Sequence, residues 1–362
     1  MRNKILLAII FVILIAGIIL HQWIIYVSHL AYHQFSSILK RQQISYLITS
    51  PDITEFEKQK FLKIQKVRDF GKQLYGLKES HCFEYYVKLP RDTLGWNLTM
   101  APELELKAKE YGFPIIGKFG YLGFFSEKLK TKWSNVFANQ GYDVYENAIG
   151  AYSTLGYFRD PIYSTYLKFD EKELLSLILH EMVHEKLYFK NDSDFSESMA
   201  SFMERTALNL FLYKQTDPPA DILEKHKNGI AEYKAFLGIL DSTKKRLDTL
   251  YNSNLPRTEK LAEKKKELEN LRMSLQTRNF QYLTYANDIA KMKNLNNAFL
   301  VQHSRYTPKR KSGFSRLLKD CKNDVQCWFT KLEKLQACDQ NIRKHFLEEE
   351  ISLDAILLQC KN

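Results

Sequence analysis

With 362 residues, 45% of them hydrophobic and 26% charged, the chain can bury a substantial core, which excludes a disordered or low-complexity protein. Its net charge of +11 at pH 7 raises nucleic acid as a partner. The basic residues are, however, scattered among acidic ones along helical segments without a stripe of interleaved aromatics, so a nucleic-acid-binding class is excluded and a basic protein beside anionic lipid is the simpler reading.

The first element is apolar. Met1-Arg2-Asn3-Lys4 is basic and residues 5–27 are almost wholly hydrophobic, long enough to span a bilayer as one helix. Trp23 and Tyr26 fall where an interfacial aromatic belt would lie, and no Lys or Arg follows until Lys40. The positive-inside rule then predicts a cytoplasmic N-terminus and a periplasmic or otherwise extracytoplasmic remainder. With no small-residue cleavage site behind it, the segment reads as an uncleaved single-pass anchor over residues 1–28, with the lipid bilayer as its partner. Residues 28–49 and 53–76 read as helices broken at Pro51, which makes 29–80 a helical segment.

From residue 81 to 158 the pattern shifts to short β-rich runs at 83–87, 115–125 and 144–157, with Gly and Pro between them. A helix over about 127–139 interrupts them, so a small mixed sheet is expected. The next helix starts cleanly: Asp170 can cap it, Glu173 completes a capping box, and Phe169 with Leu174 forms a hydrophobic staple. Leu174, Leu175, Leu177, Ile178, Leu179, Met182, Val183 and Leu187 make it apolar almost all round, as for a helix buried in a core.

Inside that helix stands His180-Glu181-Met182-Val183-His184, which reads H-E-x-x-H. One turn separates the two histidines, so both imidazoles project from the same face and can close on one metal ion. Zinc suits them, because it accepts two imidazoles and a carboxylate and leaves a fourth position for water. Glu181, one residue round the barrel, is placed to hold that water and act as general base. The plain alternative is a pair of core histidines bonded to carbonyls.

After the polar turn Asn191-Asp192-Ser193-Asp194, a second amphipathic helix runs from Phe195 to about Phe211. Glu197 in its first turn is the candidate third ligand, and Ala200, three positions on, would let the two helices approach closely; this is the gluzincin arrangement. The competing reading is that Glu197 merely favours a helix N-terminus. Glu204, on the same face, is either a partner orienting a histidine or a surface partner of Arg205.

Beyond Pro218-Pro219 a long helical pair is expected over about 219–280. Ile230, Tyr233, Leu237, Leu240, Leu247 and Tyr251 keep a three-four spacing, while Leu261, Leu268 and Leu275 recur every heptad. Asn252-Ser253-Asn254-Leu255-Pro256 turns the chain between them. The pair reads as an antiparallel coiled-coil hairpin whose charges are a solvated face or, on a second reading, a docking arm for a protein partner. The tail, 309–362, is helical and holds Cys321, Cys327, Cys338 and Cys360, apart from a lone Cys82. Without a C-x-x-C pair a structural zinc site is not expected, and two disulfides in any of three pairings are.

Taken together, Gly150-Ala151-Tyr152-Ser153-Thr154-Leu155-Gly156, Asp160-Pro161, the H-E-x-x-H segment and Ser196-Glu197-Ser198-Met199-Ala200 resemble a bacterial family of predicted zinc aminopeptidases. Phe113-Pro114 with Gly117, Gly141-Tyr142-Asp143-Val144-Tyr145, and Asn296-Asn297-Ala298 with Tyr306 fit the same pattern, so the resemblance covers about residues 30–310. Family members often carry cysteines where this chain has Gly112 and Lys118, an asparagine in place of Ser196 and a glutamine in place of Glu185. None of these departures removes a metal ligand. The resemblance implies aminopeptidase activity and a zincin-like catalytic core over 81–308.

The expectation is thus an α+β, predominantly α protein: a zincin-like metallopeptidase with a small mixed sheet, a long helical hairpin and one N-terminal transmembrane helix. One Zn2+ held by His180, His184 and Glu197, with Glu181 as base, would hydrolyse peptide or protein substrates. Tyr152, just ahead of the active-site helix, is the candidate oxyanion donor, or else a packed strand aromatic; Tyr121 and Tyr188 are alternatives. An aminopeptidase also needs an acidic clamp on the free amine, for which Glu103, Glu105, Asp143 and Glu146 are available. An envelope endopeptidase of the same mechanism and a non-catalytic membrane-anchored coiled-coil scaffold are the competing functions.

Overall fold

The computed structural model describes residues 2–113, 117–150, 160–190, 192–213, 220–304, 312–349 and 351–360, with residues 2–20 as backbone only. A long helix, α1 (Arg2–Lys40), leads through β1 (Gln42–Gln43) and the single turn α2 (Ile44–Leu47) to α3 (Glu55–Tyr75). The strands β2 (Tyr85–Val87), β3 (Gly95–Pro102), β4 (Tyr111–Phe113), β5 (Gly117–Phe119) and β6 (Leu122–Phe124) precede α4 (Glu127–Asn139) and β7 (Tyr142–Ile149). After β8 (Ile162–Tyr163) come α5 (Glu171–Lys186), α6 (Ser193–Tyr213), α7 (Ala220–Tyr251) and α8 (Arg257–Arg278). The chain closes with α9 (Thr284–Ala290), α10 (Asn297–Ser304), α11 (Ser312–Asp320), α12 (Val325–Glu333), α13 (Gln340–Glu348) and α14 (Leu353–Gln359).

Local chemistry sets these boundaries. Thr54 and Glu57 form a reciprocal capping box at the start of α3, and Gly76, at φ 63° and ψ 41°, ends the helix in the left-handed region that glycine adopts without strain. Asp170 and Glu173 do the same for α5, with Glu173 N donating to Asp170 Oδ1 at 2.7 Å.

β3 is the central strand of an antiparallel sheet ordered β6-β3-β7, paired with β7 from Gly95–Ile149 to Pro102–Tyr142. Because side chains alternate along a strand, its two faces serve different layers. Leu98 and Met100 pack with Tyr26, Phe124, Trp133 and Phe137 from α1, β6 and α4. Ala101, with Tyr145 of β7, packs on the other side with Phe299 and the α7–α8 hairpin, and the Thr99 hydroxyl donates to Gln302 Oε1 of α10 at 2.7 Å. A second sheet, β1-β2-β8, mixes an antiparallel and a parallel pairing, and β4-β5 is a two-stranded ribbon. α3, α5 and α6 form the main core, joined by β2, β8 and the C-terminal helices.

Two expectations are corrected here. The fold is, among the described residues, mostly helical with three small sheets, where a single mixed sheet was expected. Among the described residues no helix is long and apolar enough to cross a membrane. This overturns the N-terminal transmembrane helix and, with it, the single-pass topology, the bilayer as partner and the periplasmic placement of the remainder. The physical reason lies in what the end of the apolar run touches. Trp23 and Tyr26, read as an interfacial belt, pack on protein: Trp23 meets the rings of Tyr111 and Trp133 at 5.6 and 4.9 Å, and Tyr26 is 1% exposed against Phe124. About one and three turns on, His29 Nε2 accepts the backbone N–H of Phe125 at 3.0 Å, and Ser37 bonds Tyr163 at 2.9 Å. Burial, with the Arg91 charge nearby, lowers the His29 pKa, which keeps that nitrogen free to accept.

Elsewhere the helix expected over 28–49 ends at Lys40, because Gln42 and Gln43 pair with Tyr86 and Tyr85. The strand expected over 144–157 ends at Ile149, and residues 151–159 lie outside the described residues.

Candidate metal centre

α5 carries two of the three candidate ligands through the middle of the main core. Its Leu175, Ile178, Leu179, Met182 and Val183 are buried, and α3 lies so close that a Cβ on Gly71 would stand 2.8 Å from Met182 Sδ. Those apolar contacts leave one arc of the helix, bearing His180, Glu181, His184 and Glu185, for polar work.

α6 covers the histidine side of that arc. Met199, Ala200 and Met203 are fully buried along its inner face. The α5–α6 turn is closed by Ser196, whose hydroxyl accepts the N–H of Phe189 at 3.0 Å and lies 3.1 Å from the Asp192 carbonyl. This places Glu197 opposite the histidines. His180 Nε2 and His184 Nε2 are 3.2 Å apart, His180 Nε2 is 3.3 Å from Glu197 Oε2, and His184 Nε2 is 3.4 Å from Glu197 Oε1. Among the described residues these three are the only group of three or more His, Cys, Asp or Glu side chains with all ligand atoms within 4.8 Å of one another.

The electrostatics favour a cation. Burial opposes charge on the His180 ring, but the carboxylates of Glu197 and Glu204, with Glu181 beside them, raise its pKa well above the ordinary histidine value. Burial would raise the Glu197 carboxyl; the two imidazoles outweigh it and hold the group lowered. Glu204 stands behind the first histidine, its Oε2 3.8 Å from His180 Nδ1. Two buried atoms of this cluster, Glu181 Oε2 and His184 Nδ1, have no hydrogen-bond partner among the described residues. Two imidazole nitrogens and one carboxylate converging on a point, with a further carboxylate next to them on the helix, is a donor set that fits zinc.

Other candidates fall elsewhere. Tyr152 lies outside the described residues. Tyr121 packs against Phe119, and Tyr188 packs edge-on against the His184 ring at 5.8 Å. The carboxylates considered as an amine clamp belong to the sheet and hairpin layer. Asp143 pairs with Lys264 at 2.5 Å, Glu146 with Lys130 at 2.5 Å and Glu103 with Arg257, while Glu105 contributes its carbonyl to Asn297. Cys82 is free and buried; burial and the carboxylates of Glu185, Glu181 and Asp160 raise its thiol well above the usual range, which disfavours the thiolate. Tail pairing is settled as Cys321–Cys327 and Cys338–Cys360.

One residue that the sequence did not mark for a role is Glu185. Its Oε2 accepts the Ser80 hydroxyl at 2.6 Å and its Oε1 the His81 N–H at 2.7 Å, which straps the loop ahead of β2 to the end of α5. Arg68 of α3 holds the same loop by its Cys82 and Ser80 carbonyls, and Phe83 takes a left-handed backbone at φ 58°. Position in a helix could have placed Glu185 beside Glu181, but not its partners, which lie more than a hundred residues away. Glu185→Ala is expected to cost about 1.5–3 kcal/mol, because two charge-assisted bonds are lost at once. Glu185→Gln should cost under about 1 kcal/mol, since its amide still accepts from His81 and can donate to the Ser80 hydroxyl. Urea denaturation of both variants checks this; equal losses would mean that charge, not geometry, holds the loop.

The model of a family described as "Putative aminopeptidase" matches residues 25–347. No curated protein and no solved structure matches the chain.

Proposed function

This chain belongs to the putative aminopeptidase family, and from that premise we propose that it is a zinc-dependent peptidase whose site is His180, His184, Glu197 and Glu181. The observation that carries the reading is the convergence of His180 Nε2, His184 Nε2 and the Glu197 carboxylate from two helices onto one point. A gluzincin-type arrangement, with the third ligand supplied by the helix after H-E-x-x-H, fits that geometry.

When bound, zinc supplies a positive charge that acidifies water and polarises a peptide carbonyl. The residues do the rest. His180 and His184 would each offer the metal an Nε2 from one helix face, His180 giving up the proton that its carboxylate neighbours favour, and Glu197 would offset the charge of the dication. Glu204, whose Oε2 faces His180 Nδ1 at 3.8 Å, is placed to orient that ring. Glu181 takes a proton from the attacking water and delivers it to the nitrogen of the leaving amine. Its Oε2 is buried and has no hydrogen-bond partner among the described residues.

Metal analysis joined to a substrate comparison tests the proposal. The purified chain should hold about one zinc, as a four-coordinate site made of three side chains and a water requires. The His180→Ala/His184→Ala double variant should lose both metal and activity. The wild type should cleave peptides with a free N-terminal amine and spare N-acetylated ones. Full zinc occupancy in the double variant would refute the ligand assignment, and equal cleavage of blocked peptides would make the enzyme an endopeptidase.

A further inference from the structure

The height of Glu197 relative to the two histidines is set by the turn between α5 and α6, and Asp192 organises that turn. Its Oδ1 accepts the N–H of Phe195 at 3.2 Å, its carbonyl accepts the N–H of Ser196 at 3.1 Å, and its own N–H donates to Phe189 O at 3.1 Å. The second carboxylate oxygen is bound from outside the turn: Arg343 Nε donates to Asp192 Oδ2 at 2.7 Å. The pair is sheltered, with the two side chains 7% and 12% exposed. Arg343 belongs to α13. Its Nη1 donates to the carbonyls of Cys338 and Leu335, and its guanidinium lies over the Phe189 ring, 5.5 Å from the centroid. Cys338 is in turn bonded to Cys360. One arginine thus joins a disulfide-closed C-terminal segment to the turn five residues ahead of Glu197.

Two charges buried together repay their desolvation only when their geometry is fixed on both sides. Here the tail fixes the arginine and the arginine fixes the aspartate. We propose that Arg343 is a positioning residue for the metal site: through Asp192 it locks the α5–α6 turn, and so holds Glu197 within reach of His180 and His184. The role rests on the zinc reading given above. Arg343 itself touches neither metal nor substrate.

The test measures zinc affinity by chelator competition in Arg343→Met, Arg343→Lys, Asp192→Asn and the Arg343→Met/Asp192→Asn double variant, with near-UV circular dichroism and melting temperature followed alongside. Loss of a supporting partner typically weakens a metal site by about 10–100-fold, and Arg343→Met and Asp192→Asn are each expected to do so. The double variant should be no weaker than the worse single one, because both act through the same contact. Arg343→Lys should fall between, since a lysine keeps the charge but not the planar fork; it also serves as the reading should Arg343→Met fail to fold. Folded variants with lower melting temperatures but zinc dissociation constants within twofold of wild type, taken as roughly no change in coupling, overturn the proposal and leave Arg343 a stability residue. A wild-type chain without zinc overturns the functional reading itself, whereas a zinc-bearing wild type with equally zinc-bearing variants sinks only the positioning role.

Discussion

Glu181→Gln is expected to keep zinc at the wild-type level while lowering kcat by about 10²–10⁴-fold, the usual contribution of a positioned general base. The amide has nearly the shape of the carboxylate but cannot take a proton. The three clustered donors, His180, His184 and Glu197, are untouched by the change. Glu197→Gln should fail in a different way. A neutral amide is a poorer ligand for a dication and no longer offsets its charge, so zinc content should fall and be partly restored by excess metal. Activity should track occupancy for the Glu197 variant alone. Metal analysis and turnover on the same preparations separate the two, and wild-type zinc affinity in Glu197→Gln would transfer the ligand role to Glu204.

The largest stability loss is expected at Asn297. This side chain is fully buried, and its Nδ2 donates to the carbonyls of Pro102, Glu103 and Glu105 while its Oδ1 accepts the Tyr251 hydroxyl at 2.7 Å. Its backbone N–H goes to Asp143 Oδ2, which also holds Lys264. Next to it, Asn296 donates to Val144 O of β7. The Asn296-Asn297-Ala298 segment therefore splices α10 and the helical hairpin to the end of the central sheet. Asn297→Ala strands several polar groups with no solvent access, at about 1–3 kcal/mol for each group left unpaired, and about 3–4 kcal/mol in total is expected. Asn297→Asp should be no better, because it points a carboxylate at three carbonyls. A urea midpoint within experimental scatter of wild type in both variants would show that water enters and satisfies these groups.

The helix α5 was legible because its information is local. Asp170 and Glu173 sit three apart, His180 and His184 four apart, and α-helical geometry alone fixes which face they share. Glu197 was legible for the related reason that its helix follows at once. β3 was not, because α1 and α4 bury one of its faces and α10 the other. Leu98, Thr99, Met100 and Ala101 are all at 0% exposure, so the polar–apolar alternation that announces a strand is erased. The anchor misread has another cause: an apolar run looks the same whether lipid or protein covers it, and Trp23 and Tyr26 are covered by the aromatic rings of β4, β6 and α4. Asp143, Glu103 and Glu146 looked free to bind an amine because their cations, Lys264, Arg257 and Lys130, enter from other elements, two of them more than a hundred residues on. Arg343 and Glu185 were hidden in the same way.

The packing of the C-terminal helices on α6 also has an order in time. Phe195 meets Phe314 at 5.3 Å, Phe202 meets Trp328 at 5.8 Å, and Trp328 Nε1 donates to Phe314 O. During synthesis from the N-terminus, both histidines and Glu197 emerge well before any of these partners. A nascent chain thus carries the proposed donor Glu197 on a helix, α6, part of whose apolar surface is still bare, and only the last-made helices cover Phe195 and Phe202. Ribosome stalling, or any cut between α6 and α11, leaves a chain with every proposed ligand and catalytic carboxylate present but the surrounding wall unbuilt.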